Sequence, residues 1–195
     1  MANPTNRTRG WHAALLTLAA AGCASPQYRP VSDTPVRIGR PYAVRGETYV
    51  PAADPAYDRL GYASWYGPES GSRTANGEQF RPDGLSAAHT TLPLPSYVEV
   101  TSLATGRTIL VRVNDRGPFS GAGRIIDLSR GAAQALDLRA HGPTPVRVRV
   151  VDPTQSDRAR LRQGHAAASR PAASEADLDA LRQRWQSEGP GHSPR

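Results

Sequence analysis

The 195-residue sequence contains no lysine, and all 24 of its basic residues are arginines. Together with 17 acidic residues they give a formal net charge of +7 at pH 7. This surplus favours an acidic polymer as a partner, or it reflects the codon bias of a GC-rich genome. Nucleic acid is a poor candidate polymer, because the aromatic residues are not interleaved with a basic run and no nucleic-acid-binding motif occurs.

Cysteine is nearly absent as well, since Cys23 is the only one in the chain. A single cysteine excludes a disulfide within the chain and a zinc site built from cysteines. The five histidines show no spacing typical of metal ligands. The sequence therefore predicts no metal site.

A long hydrophobic run is missing from the N-terminus. The apolar stretch at residues 11–21 is too short to span a bilayer, which needs about 20 apolar residues, and it predicts a signal peptide over residues 1–22. The small residues before Cys23 resemble a bacterial lipobox, although Ala20 stands where leucine is usual. We expect a lipid anchor on Cys23, and Ala24 after it implies the outer membrane, facing the periplasm. The alternative is an ordinary secretory signal.

Glycine and proline are abundant, with 18 of each, which favours loops and disordered flanks. Residues 23–59 are predicted to form a lipid-anchored tether, with one ordered patch at 41–50 that forms a hairpin turning at Arg45-Gly46. Residues 153–195 are predicted to be a disordered tail, in which Ser174–Trp185 has the pattern of a marginal helix.

The domain is predicted at residues 60–152, where short apolar strands alternate with glycine turns. Alternation predicts strands at 61–67, 97–102, 108–113, 124–128 and 145–151, and Ser129 is expected to cap a short helix that runs to Leu136. So many short strands in about 90 residues indicate a mainly β closed barrel with one or two short helices.

Three polar residues interrupt this pattern: Glu78, His89 and Asp115. Two carboxylates and a histidine suit the cleavage of a glycosidic bond, in which one group protonates the leaving oxygen and another stabilises the developing positive charge. The alternatives are that Asp115 caps a turn or pairs with Arg116, that Glu78 is a solvated loop residue, and that His89 is a surface residue. Asp127 is expected to be structural, binding Ser129 or a nearby backbone amide.

Five motifs make the chain resemble the rare lipoprotein A (RlpA-like) family. They are Gly-Tyr-Ala-Ser-Trp-Tyr-Gly at 61–67, Thr-Ala-Asn-Gly-Glu at 74–78, Ala-Ala-His-Thr-Thr-Leu-Pro-Leu-Pro-Ser-Tyr-Val at 87–98, Val-Arg-Val-Asn-Asp-Arg-Gly-Pro-Phe at 111–119 and Arg-Ile-Ile-Asp-Leu-Ser at 124–129. The upstream residues 38–42 and 46–49 are similar too. The resemblance implies a six-stranded double-psi β-barrel and a lytic transglycosylase that needs no cofactor and acts on peptide-stripped peptidoglycan strands.

The resemblance also assigns residues. Asp115 is implied as the main catalytic acid, with Glu78 as its partner across the cleft and His89 as an orienting group. A second set is implied to line the groove: Tyr66, Thr74, Asn114 and Arg116. Arg73 or Arg116 is a candidate to pair with the lactyl carboxylate of muramic acid.

One departure concerns the tail, because the residues after 152 are too few and too polar for the glycan-binding SPOR domain that many members carry. Septal targeting and division or amidase partners are therefore left open. Two rival functions also stay open: a non-catalytic glycan binder of expansin type, and a structural lipoprotein that contacts division proteins through its tails.

Overall fold

The computed structural model describes Met1 and residues 27–190, so Cys23 and nearly all of the predicted signal peptide lie outside the described residues. The strands are β1 (Tyr42–Val44), β2 (Glu47–Tyr49), β3 (Asp58–Tyr66), β4 (Ser86–Ala88), β5 (Ser96–Ser102), β6 (Thr108–Asp115), β7 (Arg124–Ser129) and β8 (Thr144–Val150). The α-helices are α1 (Arg130–Ala135), α2 (Gln155–Arg162) and α3 (Glu175–Glu188), and a 3-10 turn spans Pro68–Ser70. No described helix has the length and apolar character needed to cross a membrane.

Six of the strands close into a barrel in the order β3-β7-β4-β6-β5-β8. The pairs β3–β7 and β4–β6 are parallel and the other neighbours are antiparallel. The predicted six-stranded double-psi barrel is confirmed, and so are the five predicted core strands, with small shifts at their ends. Strand β4 was not predicted, because three residues are too few to show an alternating pattern.

The barrel interior is filled by branched aliphatic side chains that alternate with outward-facing residues along each strand. The fully buried members include Val98, Val100, Val111, Val113, Ile126, Leu128, Val146 and Val148. Each such side chain stabilises the fold by about 1.5–3 kcal/mol relative to its exposed state. Helix α1 closes one side of this core through Ala132 and Ala133, and Ser129 caps it by accepting from the Ala132 amide, as predicted.

The N-terminal tether lies on the barrel. Strands β1 and β2 form the predicted hairpin, with Arg45 and Gly46 both at positive φ in its turn. The segment before the hairpin is also attached, because the Arg29 amide donates to the Gly77 carbonyl at 2.7 Å and Arg37 pairs with Leu94 as an isolated β-bridge.

The tail differs from the disordered segment that composition predicted. Helix α3 is capped by Ser174, as expected, but it packs on the barrel through Leu178 and Leu181, and Trp185 meets the Tyr62 ring edge-on at 4.9 Å. Helix α2 is held at Leu161, which packs against Tyr97 and Leu110. These partners lie far away in the sequence, so a polar composition alone could not reveal them.

Ion pairs complete the attachment of the tail. Arg170 binds Glu99 on β5 at 3.1 Å and Asp157 on α2 at 3.0 Å. Arg162 of α2 pairs with Asp33 of the tether, and Asp33 also contacts Arg112 of β6 at 3.3 Å. The described parts of both flanks, residues 27–59 and 153–190, are therefore attached to the barrel.

Candidate active site

A cleft of about 300 Å³ opens at the carboxyl end of strand β6, where Asp115 lies. Its lining consists of Tyr66, Ser70, Arg73, Ala88, Asp115, Arg116, Gly117, Phe119 and Asp127. Four of the residues predicted for the site are thus brought together: Tyr66, Arg73, Asp115 and Arg116.

Asp115 uses one of its two carboxyl oxygens for the protein. Its Oδ1 accepts from the Ala75 amide at 2.7 Å and from the Arg116 amide at 2.8 Å. Its Oδ2 accepts no hydrogen bond from the described residues and remains available to the cleft. Burial raises the pKa of Asp115, and it outweighs the two amide hydrogen bonds and the Arg116 charge, which lower it. A carboxyl with a raised pKa is suited to give up a proton near neutral pH.

The second carboxylate of the cleft is Asp127, on β7. In the barrel register, Ala88 of β4 pairs with Asp115 on one side and with Asp127 on the other. Paired residues point to the same face of a sheet, so both carboxylates flank the small methyl group of Ala88. Two strand spacings put their Cα atoms about 10 Å apart.

Asp127 is held by Ser64, whose hydroxyl donates to its Oδ1 at 2.5 Å, and by an ion pair with Arg124. The expected bond to Ser129 is absent from the described contacts of Asp127, and the Ser129 hydroxyl donates to the Gly84 carbonyl instead. Sequence reasoning missed Asp127 as a cleft residue. The signal in the sequence was an acidic residue within a largely apolar strand, two positions before Ser129, which had been assigned to helix capping.

Glu78 does not line the cleft. It is 1% exposed, and its carboxylate accepts from four donors. Arg112 contributes two of them, at 2.6 and 2.8 Å, while the Asn76 and Asn114 amides contribute the others at 2.8 and 2.9 Å. A buried carboxylate with this many partners is stabilised as a structural ion pair.

Glu78 and Asp115 have separate hydrogen-bond partners. Arg112 and Asn114 bind the carboxylate of Glu78, whereas Asp115, which lies beyond the register irregularity at Asn114, binds the Ala75 and Arg116 amides. The predicted convergence of Glu78 and Asp115 on one open cleft is therefore not what the structure has.

Thr74 and Asn114 also serve the buried network rather than the cleft wall. The Glu78 amide donates to the Thr74 hydroxyl at 3.2 Å, and the Thr74 amide donates to the Glu78 carbonyl at 2.9 Å. The turn closed in this way presents the Ala75 amide to Asp115. Glu78 thus acts on the cleft indirectly, through the backbone of residues 74–78 and through Asn114, the residue before Asp115.

His89 is 2% exposed, and its side chain is occupied by its own loop. Its Nδ1 accepts from the Thr91 and Leu92 amides, both at 3.1 Å, so Nε2 carries the proton and faces the Tyr57 hydroxyl at 3.0 Å. Burial lowers the pKa of His89 to about 4, and the Arg116 charge acts in the same direction. The ring is therefore neutral at pH 7.

Arg116 is largely committed to backbone carbonyls. Its Nη1 donates to His89 at 3.1 Å and to Leu92 at 2.6 Å, and its Nη2 donates to Ile38 at 3.1 Å. Few of its donors remain for a bidentate contact with a substrate carboxylate. Arg73, which also lines the cleft, is the better placed of the two arginines considered for that contact.

Tyr66 forms one wall of the cleft and stacks on Phe80 with ring centroids 4.8 Å apart. Its hydroxyl is buried and makes no hydrogen bond of normal geometry with the described residues. Burial, reinforced by the charge of Asp115, raises the pKa of Tyr66 above its ordinary value, so the hydroxyl keeps its proton.

Comparison with known proteins identifies the fold family. A family model described as lytic transglycolase matches residues 59–148, which span the barrel. A relative from Pseudomonas aeruginosa, named endolytic peptidoglycan transglycosylase RlpA, is 52% identical over 117 residues. The barrel is an RlpA-like domain. A relative of the same name from Yersinia pestis is 49% identical to this chain over 119 residues, and one from Campylobacter jejuni is 47% identical over 114 residues.

These matches cover 59%, 60% and 57% of this chain but 34%, 32% and 41% of the relatives, so the chain spans less than half of their length. Among solved structures, a Streptomyces papain inhibitor is 23% identical with a TM-score of 0.43, over 52% of this chain and all of that one. An expansin from Clavibacter michiganensis is 21% identical with a TM-score of 0.40, over 52% and 54%.

Proposed function

We propose that this chain is an endolytic peptidoglycan transglycosylase that cuts peptide-stripped glycan strands and leaves 1,6-anhydro-muramic ends. One observation carries the proposal: Asp115, a half-buried carboxyl with one uncommitted oxygen, faces an open cleft that it shares with Asp127. The names of the relatives support the choice of peptidoglycan as the substrate.

In the proposed reaction, the 6-hydroxyl of N-acetylmuramic acid attacks the anomeric carbon of its own ring while the bond to the glycosidic oxygen breaks. Protonated Asp115 gives its proton to the leaving oxygen, and the resulting carboxylate takes the proton of the 6-hydroxyl. The atoms balance without water, and Asp115 ends the cycle protonated, as it began. Because the attack lies within one sugar, the protein supplies proton transfer and a held ring geometry.

Asp127 is proposed to stabilise the positive charge that develops at the anomeric carbon. Its ion pair with Arg124 and the hydrogen bond from Ser64 hold this side chain in place at the cleft. The raised pKa of Asp115 favours the protonated form of the other member of the pair. Two carboxyl groups in different environments can thus take the two parts of the reaction.

Glu78 and His89 are proposed to be positioning residues. Glu78 fixes the turn whose Ala75 amide binds Asp115, at 2.7 Å. His89 orders its own loop, and its carbonyl holds the Arg116 guanidinium at 3.1 Å.

The test is a digest of peptide-free glycan strands, analysed by mass spectrometry. The wild-type chain should release fragments with 1,6-anhydro ends. Asp115→Asn and Asp127→Asn should reduce the rate by about 10²–10⁴-fold, the range for losing a general acid or base. The matched control is Asp179→Asn on helix α3, where the carboxylate is 66% exposed, and it should leave the rate unchanged.

Each contrary outcome points to a different function. Reducing ends in place of anhydro ends would indicate a hydrolase. Strand binding without any product would indicate the glycan binder of expansin type. Full activity in Asp115→Asn would remove Asp115 from the chemistry.

We further propose that the enzyme acts in the envelope, attached to the outer membrane through a lipid on Cys23. The small residues before Cys23 support this, since two or more acyl chains anchor a protein stably.

A further inference from the structure

The β1–β2 hairpin places two tyrosines beside the catalytic cleft. Tyr42 and Tyr49 stack with ring centroids 5.4 Å apart, and both meet Phe119 edge-on, at 6.1 and 5.6 Å. The Tyr42 hydroxyl donates to the Thr90 carbonyl at 2.7 Å and so fastens the hairpin to the barrel. All three rings are only partly buried, so they do not form an ordinary sealed core.

A second cleft of about 470 Å³ opens against these rings. It is lined by Glu47, Tyr49, Thr90 and the loop 118–124. Phe119 lines both this cleft and the one that holds Asp115. Arg124 lines the second cleft and binds Asp127 in the first, so the two clefts adjoin along a wall of shared residues.

The chemistry of the second cleft matches one sugar ring. A pyranose has an apolar C–H face that packs on an aromatic ring, and polar edges that need hydrogen bonds. Tyr49 and Phe119 offer the aromatic surface, while Glu47 and Arg124 offer an acceptor and a donor. The Tyr49 hydroxyl donates to Glu47 at 2.8 Å and fixes the carboxylate beside the ring.

The loop adds backbone groups to this surface. Gly117, Gly121 and Gly123 all adopt positive φ, a conformation that turns the chain sharply and is unfavourable for other residues. The Gly121 and Gly123 carbonyls accept from the Arg124 and Tyr62 amides, whereas the amides of residues 120–123 donate to none of the described residues and are available for sugar hydroxyls and N-acetyl groups.

We propose that the hairpin completes a glycan subsite at Tyr49 and Phe119, which holds a saccharide of the strand beyond the two sugars that flank the scissile bond. This inference rests on the proposed function, because the occupant is the same strand that enters the Asp115 cleft. The subsite makes the protein select long strands over short fragments. It gives the upstream segment, which lies outside the barrel, a direct part in substrate recognition.

Binding is measured on the full chain carrying Asp115→Asn. Under the proposed function this variant cleaves its ligand too slowly to disturb the measurement. Peptide-free oligosaccharides of two, four, six and eight sugars are titrated by calorimetry. Affinity should rise with length until the subsite is filled. Tyr49→Ala should weaken binding of the longest oligosaccharide by about tenfold, which matches the worth of one aromatic contact, and should leave the disaccharide unchanged.

Two further variants separate recognition from folding. Tyr49→Phe keeps the ring and should bind long strands within about twofold of the parent, since the ring supplies the proposed packing. Val50→Ala truncates a 59% exposed side chain at the end of the same hairpin and should have no effect.

The outcomes distinguish this inference from the proposed function. Length-dependent binding that Tyr49→Ala abolishes supports the subsite even if the wild-type chain releases no anhydro ends. If the wild-type chain releases anhydro ends but binds oligosaccharides of all lengths equally, the subsite is overturned and the proposed function stands. The same holds if anhydro ends are released and Tyr49→Ala has no effect on binding. Equal losses in Tyr49→Ala and Val50→Ala overturn it as well.

Discussion

Two carboxylates on adjoining parts of the barrel, Glu78 and Asp115, have opposite surroundings. Glu78 is sealed and accepts from four donors, two of them on Arg112. Asp115 accepts two backbone amides on one oxygen and leaves the other to the cleft. The difference teaches that burial and charge do not by themselves mark a reactive acid. What distinguishes Asp115 from Glu78 is a carboxyl oxygen, Oδ2, that accepts no hydrogen bond from the described residues.

The same comparison extends to the pKa values. Burial raises the pKa of Asp115 because its two amide bonds do not fully replace water. The folded-state pKa therefore lies above the unfolded value, and Asp115 contributes stability only at low pH, which is lost as pH rises through the folded pKa. Asp115, the proposed catalytic acid, is thus held at a cost in stability at neutral pH.

The largest expected effect in stability is at Glu78. Glu78→Ala removes the closest acidic partner of buried Arg112, which keeps only its 3.3 Å contact with Asp33, and should lower the free energy of unfolding by about 3–5 kcal/mol. Denaturant titration at pH 7 measures this change. Glu188→Ala, at a side chain that is 60% exposed on α3, is the matched control and should change stability by less than about 0.5 kcal/mol.

The Asp115→Asn variant, measured in the same denaturant titration at pH 7, tests the other half of the comparison. Because ionised Asp115 costs stability at neutral pH, the asparagine variant should be at least as stable as the wild-type chain at pH 7. If Glu78→Ala proves as stable as the wild-type chain, or Asp115→Asn proves the less stable of the two, the contrast between the sealed and the open carboxylate is wrong.

The next effect concerns His89 and acid. Its folded pKa of about 4 lies below the ordinary value, so its contribution to stability is complete above about pH 6.5 and is lost as pH falls toward 4. The free energy of unfolding lost through His89 between these two pH values amounts to about 3 kcal/mol. The groups that face the ring are Tyr57, through its hydroxyl, and the charged Arg116.

The measurement is the free energy of unfolding of the wild-type chain and of His89→Gln between pH 7.5 and 4.5. The wild-type chain should lose stability over this range more steeply than the variant does. His141→Gln, at an exposed position, should follow the wild-type curve. Parallel curves for the wild type and His89→Gln would show that His89 is not held neutral.

The smallest effect is expected at Tyr66. Its buried hydroxyl lacks a partner among the described residues, so Tyr66→Phe should change stability by less than about 1 kcal/mol, and the stacking on Phe80 remains. If the hydroxyl binds substrate, KM for glycan strands should rise several-fold with little change in Tm. An unchanged KM would assign Tyr66 to packing alone.

Much of the fold could be predicted because its signals are local. Alternating valines marked β5, β6 and β8, Ser129 marked the start of α1, and Arg45-Gly46 marked the hairpin turn. The tail could not be predicted, because Leu161, Leu178 and Leu181 are sparse in a polar segment and find their partners only on the finished barrel.

The sequence by itself determined where the strands run and that Asp115 ends one of them, because alternation and capping depend on neighbours in the chain. The tertiary structure alone decided which acidic residues share the cleft. Glu78 meets Arg112 across 34 positions and Asp127 meets Ser64 across 63, so their hydrogen bonds exist only once the strands are paired. The buried contacts of Glu78 with Arg112 and Asn114 kept it out of the cleft, and strand order brought Asp127 beside Asp115 in place of the carboxylate that the motifs had suggested.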